Sequence, residues 1–182
     1  MSKIIALLLF IILIPIYFLA GLIIVLDSGF PILIKQKRNG MNNIPFDMYK
    51  FRTMFKNTPN VATKDLNNPK KVITRVGLYL RRLSIDEIPQ LYNVINGDMN
   101  FIGPRPVILD EKNLLALRKK EGIHIYKPGI TGYAQINGRD LIDDKTKVEY
   151  DKFYFNNKSF TLGAKIIFFT IFNIFVQKDI TH

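Results

Sequence analysis

The sequence predicts a mixed α/β protein with an apolar membrane segment at its N-terminus. Residues 4–26 form an uncharged, almost wholly apolar run that is long enough to span a bilayer. Residues 46–52 alternate in side-chain character and follow an Asn-Gly turn, a pattern that is typical of a β-hairpin. Leu91, Val94 and Ile95 recur at helical spacing. These patterns predict a membrane segment, a hairpin and short helices, in that order.

Length and composition limit the classes of function. The 182 residues provide for one compact domain and a membrane segment. The absence of cysteine excludes disulfides and thiolate metal sites. The net charge of +11, much of it within residues 35–82, favours polyanions such as nucleic acid, anionic lipid or nucleotide diphosphates. No zinc-ligand spacing, RNP-like strand or repeat supports nucleic acid, so we expect no nucleic-acid partner.

The apolar run has two interpretations, a plain transmembrane anchor and a helix that bends back. Pro15, near its middle, removes a backbone hydrogen bond and favours a sharp kink. Lys3 precedes the run and basic residues follow it at 35–38, so both flanks suit the cytoplasm. A cleavable signal peptide is disfavoured because the run is too long. We predict a membrane-inserted part at 1–27 and a catalytic domain at 28–182.

The remaining elements are predicted from local patterns. Strands are expected at 31–36 and 46–52, joined by a turn at 39–43. Helices are expected at 76–82, 110–121 and 143–155. A polar loop is expected at 57–71 and a rigid glycine turn at 127–132. The apolar stretch at 160–176 is short for a span, which predicts a helix in the headgroup region or packed under the domain.

Asp86 and Glu87 are candidate functional residues at a predicted helix start. Either Asp86 or Ser84 is expected to cap that helix, and Pro89 would fall in or near its first turn. Neighbours on a regular helix point about 100° apart, so a proline-loosened turn is needed to bring both carboxylates to one site. The alternative is that the acids only complement a helix N-terminus. Arg81 and Arg82, close in sequence, would favour the ionised carboxylates.

Several cations are candidates for binding phosphate. Arg105 stands between two prolines and behind a glycine, in residues 103–106, which holds the backbone of one arginine in place. The alternation at 46–52 puts Lys50 and Arg52 on one face of a strand, where one of them is expected to face a phosphate, the alternative being a solvated edge strand. Arg139 follows a glycine in another turn and is placed to reach substrate.

Several motifs in order resemble the bacterial sugar transferases, the monotopic phosphoglycosyl transferases that begin glycan assembly on a polyprenol phosphate. The resemblance covers nearly the whole chain. The motifs are Tyr-Lys-Phe-Arg-Thr-Met at 49–54, Asp-Glu-Ile-Pro-Gln-Leu at 86–91, Gly-Asp-Met at 97–99, Ile-Gly-Pro-Arg-Pro at 102–106, Lys-Pro-Gly-Ile-Thr-Gly at 127–132, Ala-Gln at 134–135 and Gly-Arg at 138–139.

The resemblance implies a fold and a location. It implies a small α/β domain, mainly short helices around a small β-hairpin, on the cytoplasmic face of the bacterial inner membrane. It also implies that residues 4–26 form a re-entrant helix with both ends cytoplasmic. Ile14 stands where the family commonly has a serine before the break proline.

The resemblance also implies a chemistry. A UDP-sugar donates its sugar-1-phosphate to a polyprenol (undecaprenyl) phosphate and UMP leaves, with Asp86 as nucleophile and a covalent phosphosugar intermediate. Glu87 would hold Mg²⁺ with Asp86 or tune it. The resemblance implies that Lys50, Arg81 and Arg105 contact the phosphoryl oxygens of the substrate. Arg139 and Asp151 are the further candidates for substrate contact.

Alternatives remain for the residues and for the function. Asp151 matches a late acidic position of the family, or it forms an ion pair with Lys147. A catalytically silent basic adaptor and a transferase that releases a nucleoside diphosphate are the other classes of function. The released nucleotide distinguishes these: UMP for phosphoglycosyl transfer, UDP for the conventional transferase, none for the adaptor.

Overall fold

Helices predominate over strands in the computed structural model, which describes residues 2–56, 58, 69–138 and 141–176. The helices are α1 Ser2–Ile12, α2 Ile14–Ser28, α3 Pro69–Val72, α4 Arg75–Arg82, α5 Gln90–Asn96, α6 Lys112–Lys120, α7 Tyr133–Ile136, α8 Asp144–Asn156 and α9 Phe160–Val176. The strands are β1 Leu33–Asn39, β2 Pro45–Phe51, β3 Asn100–Ile102 and β4 Gly129–Thr131. The mixed α/β class and the predicted hairpin are confirmed, because β1 pairs with β2.

The chain forms two compact units. Of the described residues, the first unit comprises those within 1–36 and 47–96, and the second comprises those within 37–46 and 97–176. In the first unit α1 packs against α5 and α2 against α4. Its core is formed by Ala20, Ile24, Phe51 and Leu80. The core of the second unit is formed by Val107, Leu114, Ile123 and Val148.

The N-terminal apolar run is broken into two helices, as predicted from Pro15. The helix α1 ends at Ile12, Leu13 leaves the helical conformation, and Pro15 stands in the first turn of α2. There its missing N–H breaks no helical bond within α2. The two helices are bent by 58°, although Ile14 precedes the proline. Among the described residues no single helix is long and apolar enough to cross a membrane, whereas this bent pair qualifies by length and composition.

Most large side chains of the bent pair are exposed. Phe18 and Leu26 are 74% and 78% exposed, while Ala6, Ala20 and Ile24 are buried against the first unit. Such an apolar exterior suits lipid better than water. The re-entrant path and the boundary between residues 27 and 28 describe how the chain inserts into a membrane. Both stay predictions.

The glycines of 127–132 have a different role from the one predicted. Residues 129–131 form β4, which pairs in parallel with β3, and the predicted rigid turn is wrong at these positions. Gly132 has an extended backbone with a φ of −170°. A Cβ on Gly129 or Gly132 would collide with the backbone of Gly103. Close backbone approach, rather than unusual dihedral angles, therefore explains these glycines.

The later helices agree with the predictions. The helices α4, α6 and α8 lie where short helices were expected, and Asp143 caps α8 by accepting from the N–H of Thr146 at 2.7 Å. The helix α9 spans the predicted apolar stretch and exposes Phe160 and Phe175 while burying Ile166. The predicted loop at 57–71 falls mostly outside the described residues, and its last residues lie in α3 instead.

Candidate active site

The two acids lie in a separate turn before α5. The residues Ile85–Glu87 form one turn of 3₁₀ helix, and α5 begins only at Gln90. Ser84 enters the turn in the left-handed conformation, with a φ of 53°, and makes no side-chain capping bond. Both capping predictions are therefore wrong: Ser84 does not cap, and Asp86 lies one turn ahead of α5. The chain reverses sharply after α4, and this leaves the acids on a short turn instead of a long helix.

Lys50 holds both carboxylates. Its Nζ lies 2.8 Å from Oε1 of Glu87 and 3.9 Å from Oδ2 of Asp86. The three side chains are largely shielded, with 15% of Lys50, 10% of Asp86 and 14% of Glu87 exposed. One ammonium group on β2 therefore contacts both carboxylates, while the loosening of the turn by Pro89 stays a prediction.

Arg81 places a second cation near the acids. Its Nε donates to Oγ1 of Thr53 at 2.9 Å, which orients the guanidinium from α4. Burial lowers the pKa of Arg81, and the charges of Asp86 and Glu87 oppose that change. An arginine remains charged under such a shift. Arg82, by contrast, is exposed.

Asn93 was not identified by the sequence analysis. It is completely buried in α5. Its Oδ1 accepts from the N–H of Tyr49 at 3.1 Å, and its Nδ2 donates to the carbonyl of Asp47 at 2.7 Å. These bonds hold the backbone of β2 beside Lys50. An asparagine next to the inward-facing Val94 was the only signal in the sequence, and it is equally typical of a solvated helix face.

Arg52 serves the end of α2. It is 3% exposed, and its Nη2 donates to Oγ of Ser28 at 2.8 Å and to the carbonyl of Gly29. A cation at a helix C-terminus complements the helix dipole. Of the two cations predicted on one strand face, Lys50 therefore lies at the acids and Arg52 at α2.

In the second unit, Arg118 joins two of the predicted site residues. Its Nη1 donates to the carbonyl of Arg105 at 2.8 Å, and its Nη2 donates to Oδ2 of Asp151 at 2.9 Å. Burial raises the pKa of Asp151, and Arg118 opposes that rise. The alternative considered for Asp151, an ion pair with Lys147, is wrong, because Asp151 pairs with Arg118 and Lys147 contacts Asp144. Arg139 lies outside the described residues.

A comparison with protein families shows to which family the chain belongs. The family model described as bacterial sugar transferase matches residues 1–177. The chain belongs to the bacterial sugar transferase family. The resemblance read from the motifs is thereby confirmed.

Relatives of the chain include one uncharacterized sugar transferase and two transferases named for an activity. An uncharacterized sugar transferase of Bacillus subtilis (strain 168) is 44% identical over 156 residues, which cover 85% of this chain and 75% of that protein. The UDP-glucose:undecaprenyl-phosphate glucose-1-phosphate transferase of Escherichia coli (strain K12) is 38% identical over 173 residues, which cover 90% and 37%. An undecaprenyl-phosphate glucose phosphotransferase of Komagataeibacter xylinus is 41% identical over 168 residues, which cover 86% and 32%. The chain thus spans about a third of these two named transferases.

The turn Ile85–Glu87, here called the acid turn, has donors suited to Mg²⁺. Within the described residues, no three His, Cys, Asp or Glu side chains form a metal-ligand group. Asp86 and Glu87 nevertheless contact the same ammonium group, so their oxygens already converge on one positive centre. Mg²⁺ is commonly held by one or two carboxylates together with substrate phosphates and water. The pair therefore fits this ion.

Proposed function

We propose that the chain is a phosphoglycosyl transferase that moves a sugar-1-phosphate from a UDP-sugar to a polyprenol (undecaprenyl) phosphate and releases UMP. Similarity to relatives that are named as undecaprenyl-phosphate sugar-phosphate transferases supports these substrates. The observation that carries the proposal is the shielded pair of acids gathered by Lys50, with Arg81 nearby. A carboxylate in cationic surroundings stays ionised and is able to approach an anionic phosphate.

The first half-reaction uses Asp86 as nucleophile. A carboxylate oxygen attacks the phosphorus that bears the sugar, and a new P–O bond forms. The bond between the two phosphates of the donor breaks, and UMP leaves with its electron pair. Lys50 lies closer to Glu87 than to Asp86, by 2.8 Å against 3.9 Å. This difference favours Asp86 as the attacking group, because it exchanges a weaker contact for the new bond.

The second half-reaction regenerates the carboxylate. A phosphate oxygen of the polyprenol phosphate attacks the same phosphorus, and the bond to Asp86 breaks. The product is a polyprenol diphosphate sugar. Passing through a covalent intermediate divides one difficult transfer into two easier ones at the same site.

The cations stabilise charge in both steps. Lys50 and Arg81 lie at the acid turn and would act on the phosphoryl oxygens. Arg105, whose backbone is held by Arg118, and Arg139 would bind phosphate of the substrates. Asp151 would act indirectly, by holding Arg118, which in turn holds the backbone of Arg105. Mg²⁺ bound at Asp86 and Glu87 would supply countercharge to the diphosphate.

The proposed location is the cytoplasmic face of the bacterial inner membrane, with a monotopic topology. The bent pair α1–α2 would enter and leave one leaflet, which its bend of 58° and basic flanks favour. The exposed apolar side chains of α9 would lie at the interface. Of the two substrates, the polyprenol phosphate is the lipid, and its charged phosphate would lie at this level.

Rapid quenching with donor alone tests the mechanism. We expect a stoichiometric burst of UMP and a sugar-phosphate adduct on the Asp86 peptide, identified by intact mass and peptide mapping. Asp86→Asn should lose the burst and the adduct while keeping its fold, because an amide is a poor nucleophile.

The other outcomes identify other functions. Release of UDP would indicate a conventional transferase, and no release with any UDP-sugar would indicate a binding protein. If UMP appears only when polyprenol phosphate is also present, and no adduct is trapped, direct transfer would replace the covalent step.

A further inference from the structure

Tyr17 connects the bent apolar pair with the acid turn. It lies in the early part of α2, and its backbone N–H donates to the carbonyl of Leu13 at the break, at 3.0 Å. Its ring packs against Phe10 of α1, with centroids 5.0 Å apart, and against Phe51 of β2, at 5.5 Å. The ring therefore bridges the break and reaches the strand that carries Lys50.

The hydroxyl of Tyr17 bonds to the turn itself. It donates to the carbonyl of Ile88 at 2.9 Å, across a separation of 71 residues. Ile88 directly follows Glu87 and ends the 3₁₀ turn. The same carbonyl also accepts from the N–H of Leu91 at 3.0 Å, within the start of α5. Tyr17 thus supplies the bond that joins this carbonyl to a distant part of the chain.

The other end of α2 is joined to β2. Arg52, two residues beyond Lys50, donates to Ser28 and Gly29 where α2 ends. Both segments that form the acid site therefore bond to the same helix, the turn at one end and the strand at the other. A shift of α2 would be transmitted to the distance between Lys50 and the acids.

We propose that Tyr17 is a positioning residue for the phosphoryl transfer, with its hydroxyl holding the turn of Asp86 and Glu87 at the orientation needed for attack. The inference rests on the proposed function. A small displacement of a nucleophile from its attack geometry lowers the rate of reaction more than it weakens substrate binding. A hydroxyl that only fills a hydrogen bond in the core would affect neither the turn nor the rate selectively.

Tyr17→Phe is the test, because it removes the hydroxyl and keeps the ring packed on Phe10 and Phe51. We expect amide hydrogen exchange in the peptide covering residues 85–92 to become about fivefold faster, which corresponds to loss of one hydrogen bond. We expect kcat for UMP release to fall about tenfold, with KM for the UDP-sugar changed by less than about twofold. The control is Tyr79→Phe, at an exposed tyrosine of the same unit, which should alter none of these quantities.

The outcomes separate this inference from the proposed function. Unchanged exchange at residues 85–92 would overturn the role of Tyr17, whatever the activity. Faster exchange with unchanged kcat would also overturn it, because the turn would then be held without effect on the reaction. If the wild-type protein releases no UMP from any UDP-sugar, the proposed function fails, while hydrogen exchange still decides whether Tyr17 holds the turn.

Discussion

Replacing Lys50 should show how much the contact between β2 and the acid turn stabilises the fold. At an effective dielectric constant of about 20, two unit charges at the 2.8 Å observed between Lys50 and Glu87 attract by about 6 kcal/mol before desolvation is subtracted. Breaking a buried pair by removing one partner costs about 3–5 kcal/mol. The pair retains some exposure and Arg81 remains nearby, so we expect Lys50→Met to destabilise the fold by about 2–4 kcal/mol.

A double-mutant cycle measures this interaction directly. The free energy of unfolding would be compared for wild type, Lys50→Met, Glu87→Gln and the double variant by denaturant titration in detergent. We expect Lys50→Met to cost about 1 kcal/mol or less in the Glu87→Gln background. Lys152→Met is the matched control, since its pair with Glu121 is more exposed than the Lys50–Glu87 pair and should contribute little. If the two changes are additive within about 0.5 kcal/mol, Lys50 and Glu87 do not stabilise the fold through their contact.

Further predictions concern Asn93, the cap of α8, Arg105 and the topology of the bent pair. Asn93→Leu should cost about 2–4 kcal/mol by removing two buried hydrogen bonds to the strand backbone, and an unchanged unfolding midpoint would contradict its role. Asp143 has a lowered pKa because it accepts from α8 N–H groups, so its contribution exists above its unfolded-state pKa and is lost as pH falls through the folded-state value. The melting temperature of Asp143→Asn should therefore fall less than that of wild type when the pH is lowered from about 7 to about 3. Arg105→Lys should lower turnover far more than Arg82→Lys does, and equal turnover would remove Arg105 from the site. Pro15→Leu should straighten the bent pair, so that a cysteine at position 2 becomes labelled by an impermeant reagent outside cells, whereas the same cysteine beside the native proline should stay shielded.

Local patterns predicted much of the fold. Local patterns predicted helices at the positions of α4, α6 and α8, and alternation predicted the hairpin. Pro15 predicted the break in the apolar run, because proline removes a hydrogen bond whatever its surroundings. The motifs around Asp86 identified the family, which the match over residues 1–177 confirmed.

The partners of the site residues were decided by tertiary structure. The sequence shows that Asp86 and Glu87 are neighbours, but only the fold places Lys50 between them. It likewise gives Asp151 the partner Arg118, 33 residues away, where local spacing had favoured Lys147.

The same limit explains the missed residues and the misread glycines. Asn93 and Tyr17 bond to segments 44 and 71 residues away, and nothing beside them in the chain indicates those segments. The close approach of Gly103 to Gly129 likewise exists only once β3 and β4 pair. Local patterns were enough to predict most of the longer helices and the hairpin, since helix and strand periodicity act over a few residues. The partners of the polar groups could be read only from the folded chain, because hydrogen bonds and ion pairs depend on distance in space.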